Sequence, residues 1–339
     1  MFIPPSRPSI NGAGMGRFSD RSFWAQTGKG LGLKNKTIVY LKECFINMHF
    51  SSGINRPPYE AADGFLQITS GCSHASCEFC TFYKDSPFIL SPMEEIEEDI
   101  KELAQSGWNF DRIYLQGADP FIRKTEDLLQ IADMIYRYLP QVKSIGGYAR
   151  VDNLKNKMVQ QVRQLAEKGY SYFYFGVGSG DDKLLDRMNK GYHADLVIEQ
   201  CKKMDEAGMP WIANFLGGLG GHDWGLSHAR ETAKMYNQLK PAMVYASELT
   251  LFPDTPLSRD VAMGKFAEAT ETERIAEMQE FIRCLDIPTI FRAEHVTMPI
   301  RLNGRLPEDK EALIAQLQRL LDDNGEEVLQ RYRSRVNSL

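Results

Sequence analysis

The feature that most constrains the fold of this chain is an alternation of short apolar segments with amphipathic helical patterns, which begins near Asp63. The apolar segments are rich in β-branched or aromatic residues, and most reach Gly, Asp or Pro within a few positions, which is typical of strands. The patterns between them place apolar residues three and four positions apart, which predicts helices. The six predicted strands are residues 65–69, 112–116, 142–147, 172–177, 211–216 and 243–248.

Local signals mark the ends of several predicted helices. Ser91 to Glu94 reads as a capping box with Pro92 at the first helical position, and Thr270 opens a later helix. Gly169 and Gly208 stand directly after two helical patterns, where a glycine cap is common. These signals indicate that each predicted strand and the predicted helix after it form one β-then-α unit.

Six successive units predict parallel strands, because each helix must return the chain across the sheet before the next strand begins. Six is fewer than the eight strands of a closed barrel. We therefore expect an α/β fold, an open, partial (β/α)6 TIM-like barrel with its chemistry in the loops at the C-terminal ends of the strands. Residues 291–304 are expected to close the open side and to shape the pocket.

The chain divides into three predicted parts. Residues 1–47 are rich in Lys and Arg and form a basic, flexible N-terminal arm, unless translation starts at Met48. Residues 48–260 form the partial barrel, and residues 261–339 form a C-terminal helical extension whose apolar stripe packs against it. His295 and Arg301, in this extension, are expected at the surface, and the alternative is that they face the barrel mouth.

Composition narrows the class of protein. The 339 residues are 43% hydrophobic and 25% charged, with a net charge of −5, which is typical of a globular protein. The negative charge argues against a nucleic-acid partner, since the phosphate backbone attracts basic proteins. No uncharged apolar run approaches the ~18–20 residues that span a bilayer, and no segment has the form of a signal peptide. The sequence thus predicts a soluble, cytoplasmic protein without a membrane partner.

Three of the six cysteines, Cys72, Cys77 and Cys80, fall within nine residues in the loop after the first predicted strand. This clustering differs from a secreted disulfide framework and indicates a metal site in a reducing compartment. Three thiolates can hold three irons of a cubane cluster and leave the fourth iron open. Structural zinc, with His74 or a distant cysteine as fourth ligand, is the alternative. The lack of a second C-x2-C pair and the position at the barrel mouth favour the cluster.

In this loop and in the motifs that follow it, over residues 64–256, the sequence resembles the radical S-adenosylmethionine (radical SAM) superfamily. The three cysteines match the family's cluster-binding loop, with Phe79 as the aromatic residue before the last of them. The resemblance implies a [4Fe–4S] cluster on the cysteines and an adenine contact from the Phe79 backbone. The run Gly117, Ala118 and Asp119 is similar to the turn that the family uses for the amino group of SAM.

Later motifs extend the resemblance. Arg150 lines up with a motif of the branch that contains the catalytic subunit of Elongator and the oxygen-independent coproporphyrinogen oxidases. A glycine-rich run with Ser179 precedes a Met-Asn-Lys-Gly turn, whose Lys190 is the implied partner of the SAM carboxylate. The fifth predicted strand carries the positions that face the ribose and adenine in the family, here Asn214, Gly217 and Gly218.

The sequence also departs from the family pattern. The first gap between cysteines is four residues, which gives C-x4-C-x2-C in place of the usual three-residue gap. Gly178 stands where the branch has Glu, and Tyr148 stands where it has an acidic residue. Both substitutions remove polar contacts to the cofactor or the substrate, while the longer loop still permits three ligands.

The resemblance implies an enzyme that cleaves SAM reductively at the cluster and generates a 5′-deoxyadenosyl radical. The radical acts on a small-molecule or peptide substrate that the sequence does not identify, and the residues that act on that substrate are equally unidentified. An external one-electron reductant of the flavodoxin or ferredoxin type is also implied. The alternative is a non-catalytic iron–sulfur or zinc protein on a retained barrel, which the departures at Gly178 and Tyr148 favour.

Overall fold

The alternation of strands and helices is confirmed by the computed structural model, which describes residues 48–83 and 85–336. The predicted basic arm, residues 1–47, lies outside the described residues. The strands are β1 (Gly64–Gln67), β2 (Thr69–Ser70), β3 (Ile89–Leu90), β4 (Arg112–Gln116), β5 (Ser144–Ala149), β6 (Phe173–Phe175), β7 (Trp211–Gly217), β8 (Met243–Glu248), β9 (Thr289–Ala293) and β10 (Leu302–Leu306). Within this part of the chain, eight of them form one sheet in the order β1-β4-β5-β6-β7-β8-β9-β10.

The sheet is parallel from β1 to β9, and β10 runs antiparallel to β9. Its first six strands are the six predicted from the sequence. Strand burial fits a parallel sheet covered on both faces, since every residue of β1 and β4 is buried. Because β1 and β10 are not paired with each other, the sheet is open, which confirms the partial barrel.

The C-terminal extension differs from its prediction, because it contains strands as well as helices. β9 pairs with β8, with Phe291 opposite Val244, and β10 pairs with β9. Phe291 and Leu302 are buried, so this strand pair belongs to the core of the barrel. Residues 291–304 therefore lengthen the sheet beyond β8, and because β10 is not paired with β1 they do not close its open side by strand pairing.

The helices that follow the strands bury one face each. They are α1 (Met93–Gln105), α2 (Thr125–Tyr138), α3 (Val159–Glu167), α4 (Asp182–Arg187), α5 (Ala194–Ala207), α6 (Gly221–Tyr236), α7 (Pro256–Ala262), α8 (Glu271–Cys284), α9 (Lys310–Asp323) and α10 (Glu326–Arg333). In α1 the buried residues Ile96, Ile100 and Leu103 recur at four- and three-residue spacing. They face β1 and α2, which contact this helix.

The two predicted helix starts have different outcomes. The Thr270 hydroxyl accepts a hydrogen bond from the Glu273 backbone, and the Glu273 carboxylate accepts one from the Thr270 N–H, which is a capping box at α8. The capping box predicted at Ser91 is wrong. The α1 helix begins at Met93 without a side-chain cap, and the Ser91 hydroxyl instead accepts a 3.4 Å hydrogen bond from Gln67 Nε2.

The parallel strands bring their C-terminal ends to one rim of the sheet. The cysteine loop lies between β2 and β3, and the segments after β5, β6, β7 and β8 reach the same rim. Among the described residues, no helix combines the length and the apolar character needed to cross a membrane.

Candidate cofactor site

A cavity of about 250 Å³ opens at the C-terminal ends of the parallel strands. The three cysteines line it together with Arg150 and Lys190, which places thiols and cations on one wall. Of the other predicted contact residues, Phe79, Ala118 and Asn214 also line the cavity. The sequence motifs thus converge on one site, although five of the thirteen predicted residues lie outside its lining: Gly117, Asp119, Ser179, Gly217 and Gly218.

The cysteine loop is fixed by hydrogen bonds to the turn after α4. Glu78 N donates to Met188 O at 3.1 Å, and Asn189 Nδ2 donates to Ser76 O at 2.8 Å. Asn189 has a φ of 49°, a left-handed conformation that asparagine tolerates. His74 Nε2 lies 2.5 Å from Asn189 O, so this ring bonds to the turn. The Met-Asn-Lys-Gly motif therefore positions the loop as well as Lys190.

The thiols of the loop are free and partly buried. Burial raises the pKa of Cys72, and the nearby negative charge of Asp119 raises it further. Burial also raises the pKa of Cys80. Both groups therefore favour the thiol form in the metal-free protein, and a metal centre that binds them displaces their protons.

The donor set fits a cubane cluster. A single zinc ion needs its sulfur ligands about 2.3 Å from one point. Among the described residues, no three His, Cys, Asp or Glu side chains are gathered closely enough to share one ion. A cubane cluster does not require such a gathering, because each thiolate binds a different iron. Three free thiols on one loop beside a cavity are what a cluster with an open iron needs.

Two buried cations flank the cysteines. Arg150 forms a two-pronged ion pair with Asp152, at 3.0 and 2.9 Å, and its Nη2 donates to Lys190 O at 3.1 Å. Lys190 Nζ donates to Gly176 O at 2.9 Å, and both cations lie 5.5 Å from the centre of the Tyr192 ring. Burial alone would lower the pKa of Lys190, but Tyr192 and Cys77 raise it by more. Lys190 therefore stays charged, as a carboxylate ligand requires.

Asp119 lies beneath the cavity wall. It is completely buried, and its carboxylate accepts hydrogen bonds from Ser73 N and, at 2.8 Å, from Asn153 Nδ2. Burial raises its pKa, and the hydrogen bonds oppose that shift. Gly117 has a φ of 91°, and a side chain there would collide with Thr69. In this structure Asp119 and Gly117 hold the start of the cysteine loop in place.

Ser179, Gly217 and Gly218 belong to a buried network behind the cavity. The Ser179 hydroxyl lies 2.8 Å from His228 Nδ1, with both side chains completely buried. A side chain at Gly217 would collide with the Glu248 carboxylate, and one at Gly218 with the Arg274 guanidinium. These glycines are required by the close approach of buried charged groups, which the sequence motif alone does not indicate.

The cavity also has walls that sequence reasoning missed. Tyr83, Tyr174 and Tyr245 line it together with Tyr148, which the sequence marks only as a departure from the family. The sequence signal that could have indicated these walls is a tyrosine at an inward-facing position in each of several predicted strands. His295 lines the cavity as well, which agrees with the alternative of a position at the barrel mouth and with the expectation that residues 291–304 shape the pocket. Burial lowers the pKa of this histidine.

Comparison with known proteins agrees with the motifs. The family model described as the radical SAM superfamily matches residues 66–235, half of the chain. An uncharacterised protein of Methanocaldococcus jannaschii is 24% identical over 255 residues, which cover 72% of this chain and 74% of that protein. The heme chaperone HemW of Bacillus subtilis is 25% identical over 219 residues, 62% of this chain and 56% of HemW.

Among solved structures, the coproporphyrinogen III oxidase HemN from Escherichia coli aligns with a TM-score of 0.50 at 13% identity. The alignment covers 69% of this chain and 56% of HemN, and it shows a shared fold. The chain therefore spans little more than half of HemW and HemN, and about three quarters of the archaeal protein.

Proposed function

The chain belongs to the radical SAM superfamily, whose enzymes bind a [4Fe–4S] cluster and SAM, and on that premise we propose that Cys72, Cys77 and Cys80 hold the cluster. The cavity beside them is the proposed SAM site. The proposal rests on one observation: three free thiols line the same cavity as Arg150 and Lys190.

The chemistry comes from the bound cofactors. When bound, the reduced cluster supplies the electron that breaks a carbon–sulfur bond of SAM and yields a 5′-deoxyadenosyl radical. The protein's part is to orient SAM and to keep water away from the reacting atoms. Lys190 receives the SAM carboxylate, and Arg150 holds the Lys190 backbone through its 3.1 Å hydrogen bond.

The remaining predicted residues take two kinds of role in this proposal. Phe79, Ala118 and Asn214 line the cavity and would contact SAM when it is bound. A second group shapes the cavity wall from behind through backbone geometry and buried hydrogen bonds: Gly117, Asp119, Ser179, Gly217 and Gly218.

The substrate is proposed to be a small molecule or a peptide. The net charge of −5 disfavours a nucleic-acid polyanion, and the cavity walls are mainly apolar, with several aromatic side chains. Radical SAM enzymes need an external electron donor, and we propose a flavodoxin- or ferredoxin-like protein in that role. A non-catalytic iron–sulfur or zinc protein is not favoured, because the motifs for SAM accompany the cysteines along the whole barrel.

The test is anaerobic reconstitution with iron and sulfide, followed by dithionite and SAM, with 5′-deoxyadenosine as the product measured. We expect a brown protein that releases 5′-deoxyadenosine. A Cys72/Cys77/Cys80 triple-alanine variant should be colourless and inactive, while Cys284→Ala, on α8, should behave like the wild type. A protein that binds zinc, or one that binds a cluster and leaves SAM intact, would contradict the proposal.

A further inference from the structure

Five tyrosine rings form a continuous series across the interior of the barrel. The ring centres of Tyr114 and Tyr148 are 5.6 Å apart, and those of Tyr148 and Tyr174 are 5.3 Å apart. Tyr174 lies 6.0 Å from Tyr245, which lies 5.2 Å from Tyr59. These distances fall within the range of direct aromatic contact, and most of the pairs meet edge to face.

Strand geometry places four of these rings on one face of the sheet, while Tyr59 lies before β1 in the chain. Tyr148 on β5 pairs in register with Tyr174 on β6, while Tyr114 on β4 pairs with Gly146, two residues before Tyr148. Alternate residues of a strand point to the same face, so Tyr148 and Arg150 share a face as well. Tyr148 therefore comes two residues before Arg150, on the same face and deeper in the barrel than the guanidinium that flanks the cysteines.

The phenols of the cavity keep their hydrogen. Burial raises the pKa of Tyr148, Tyr174 and Tyr245, so all three are neutral at physiological pH. Tyr83 belongs to the cysteine loop and also lines the cavity, and burial raises its pKa, with a further rise from the charges of Cys72 and Cys80. The cavity lining thus includes neutral phenols, together with the thiols, the flanking cations and the side chains of Glu248 and His295.

We propose that the phenol of Tyr148 donates its hydrogen atom to a carbon-centred radical held in the cavity, an inference that rests on the proposed function. The O–H bond of Tyr148 breaks, a C–H bond forms, and the phenol becomes a phenoxyl radical. One electron from the low-potential donor that reduces the cluster, together with a proton from water, restores the phenol.

The energetics and the position of Tyr148 favour this step. A phenolic O–H bond is weaker than the C–H bond of an alkyl group, so the transfer runs downhill. The edge-on contacts with Tyr114 and Tyr174 hold the ring, and the buried surroundings shield a phenoxyl radical from side reactions.

Solvent exchange provides a direct test, because phenolic hydrogen exchanges with D2O and carbon-bound hydrogen does not. The reconstituted enzyme is incubated with dithionite and SAM in D2O, without added substrate or thiols, and the mass of 5′-deoxyadenosine is measured. We expect one deuterium in the wild-type product and at least a tenfold lower labelled fraction from Tyr148→Phe. The control Tyr136→Phe removes a hydroxyl that bonds Lys168 O, away from the cavity, and should leave the label unchanged.

Freeze-quenched EPR supplies a second readout, which detects the phenoxyl radical itself and not the product. An organic-radical signal that narrows when the protein carries ring-deuterated tyrosine should appear in the wild type and vanish in Tyr148→Phe. Iron content and circular dichroism that match the wild type would show that the variant is folded and loaded.

The outcomes separate the two proposals. Unlabelled 5′-deoxyadenosine from the wild type in D2O would overturn the role of Tyr148 and leave the proposed function standing. A label that survives in Tyr148→Phe, or that is lost only in Tyr174→Phe or Tyr245→Phe, would also overturn it. If no 5′-deoxyadenosine forms, the proposed function fails, and the role of Tyr148 fails with it.

Discussion

Lys190 is the residue whose charge is left for a ligand. Arg150 is paired with Asp152, but among the described residues no carboxylate lies in an ion pair with Lys190, whose amine donates to Gly176 O. The amine is buried near the thiols of Cys77 and Cys80, and an uncompensated buried cation is costly. A bound carboxylate and an anionic cluster both relieve that cost.

Removal of the Lys190 charge should weaken SAM binding. A hydrogen bond to a charged group contributes about 1.5–3 kcal/mol, so we expect Lys190→Met to raise the Kd for SAM about 10- to 100-fold. Anaerobic equilibrium dialysis with labelled SAM measures the change. Lys157→Met is the matched control, since this buried amine bonds Arg123 O and lies outside the cavity lining. Equal loss of affinity in both variants would contradict the role of Lys190.

His228 should make the protein sensitive to acid. Burial lowers its pKa to about 4, whereas an unfolded histidine titrates near 6.5. Between these values the unfolded chain binds a proton that the folded chain excludes, so stability falls as the pH drops from about 6.5 to about 4. The full loss amounts to about 3 kcal/mol.

A pair of urea titrations measures this effect. The free energy of unfolding of the wild type and of His228→Gln is followed between pH 4 and pH 7, and the difference between the two curves isolates the histidine. We expect the wild type to lose more stability than the variant over this range. If the two curves of unfolding free energy against pH were parallel, His228 would take up a proton as easily in the folded protein as in the unfolded chain.

At the level of secondary-structure elements, α8 is joined to the ends of β7 and β8 by buried charges. Arg274 on α8 contacts Glu248 at the end of β8, at 3.3 Å. Glu277 on the same helix accepts a 2.8 Å hydrogen bond from Gly218 N. Burial raises the pKa of Glu277, and the charge of Glu248 raises it further, so Glu277 favours the protonated form.

The loss of Arg274 should destabilise this junction strongly. Arg274→Met leaves Glu248 buried without its partner, which costs about 3–5 kcal/mol of unfolding free energy. Glu277→Gln should cost far less, because a protonated carboxyl and an amide are similar. Arg230→Met is the control, since its exposed ion pair with Glu280 contributes less than about 1 kcal/mol. Chemical denaturation measures the free energy of unfolding of each variant. If Arg274→Met lost no more of it than Arg230→Met, the buried ion pair would not stabilise the contact between α8 and the sheet.

The elements found from the sequence are those with strong local signals. β4 and β8 begin and end where they were predicted, because their apolar runs are bounded by turn residues. β10 was missed, since its Leu-Asn-Gly-Arg-Leu sequence has polar residues and a glycine at the centre and buries only its ends. Its strand form depends on pairing with β9, a tertiary contact that no local pattern reports.

The part of the site that could be predicted from the sequence is the part that lies in loops with recognisable motifs. The cysteines and Lys190 could be placed because their spacing carries chemistry. The tyrosines that line the cavity could not be placed in the site in this way, because a tyrosine inside a predicted strand has the same pattern as an ordinary core residue. The need for glycine depends on Glu248 at position 217 and on Arg274 at position 218, which lie some thirty and more than fifty residues later, so only the folded structure relates them.

At the scale of the whole molecule, the C-terminal extension and the barrel share one sheet and one core. Phe291 on β9 is completely buried, and its ring centre lies 6.5 Å from that of Phe281 on α8. β9 continues the parallel order from β8, and His295, just after it, lines the cavity. The extension therefore contributes to the fold and to the site together.

A core substitution in the extension should consequently destabilise the barrel as well. Phe291→Ala is expected to cost about 3–5 kcal/mol and to lower the midpoint of a single cooperative transition. Val328→Ala, at an exposed position on α10, should cost little. Two separate transitions, seen by calorimetry and by circular dichroism, would show instead that the extension unfolds independently of the barrel.

The most direct test of a cluster with an open iron beside a SAM site is low-temperature EPR of the reduced, reconstituted protein before and after SAM is added. We predict a [4Fe–4S]+ signal that changes shape on addition of SAM, and the absence of that signal from the Cys72/Cys77/Cys80 triple-alanine variant. In Lys190→Met the signal should persist and require higher SAM concentrations to change. A cluster signal that SAM leaves unaltered at saturating concentration, or one that survives in the triple variant, would contradict the assignment of the site.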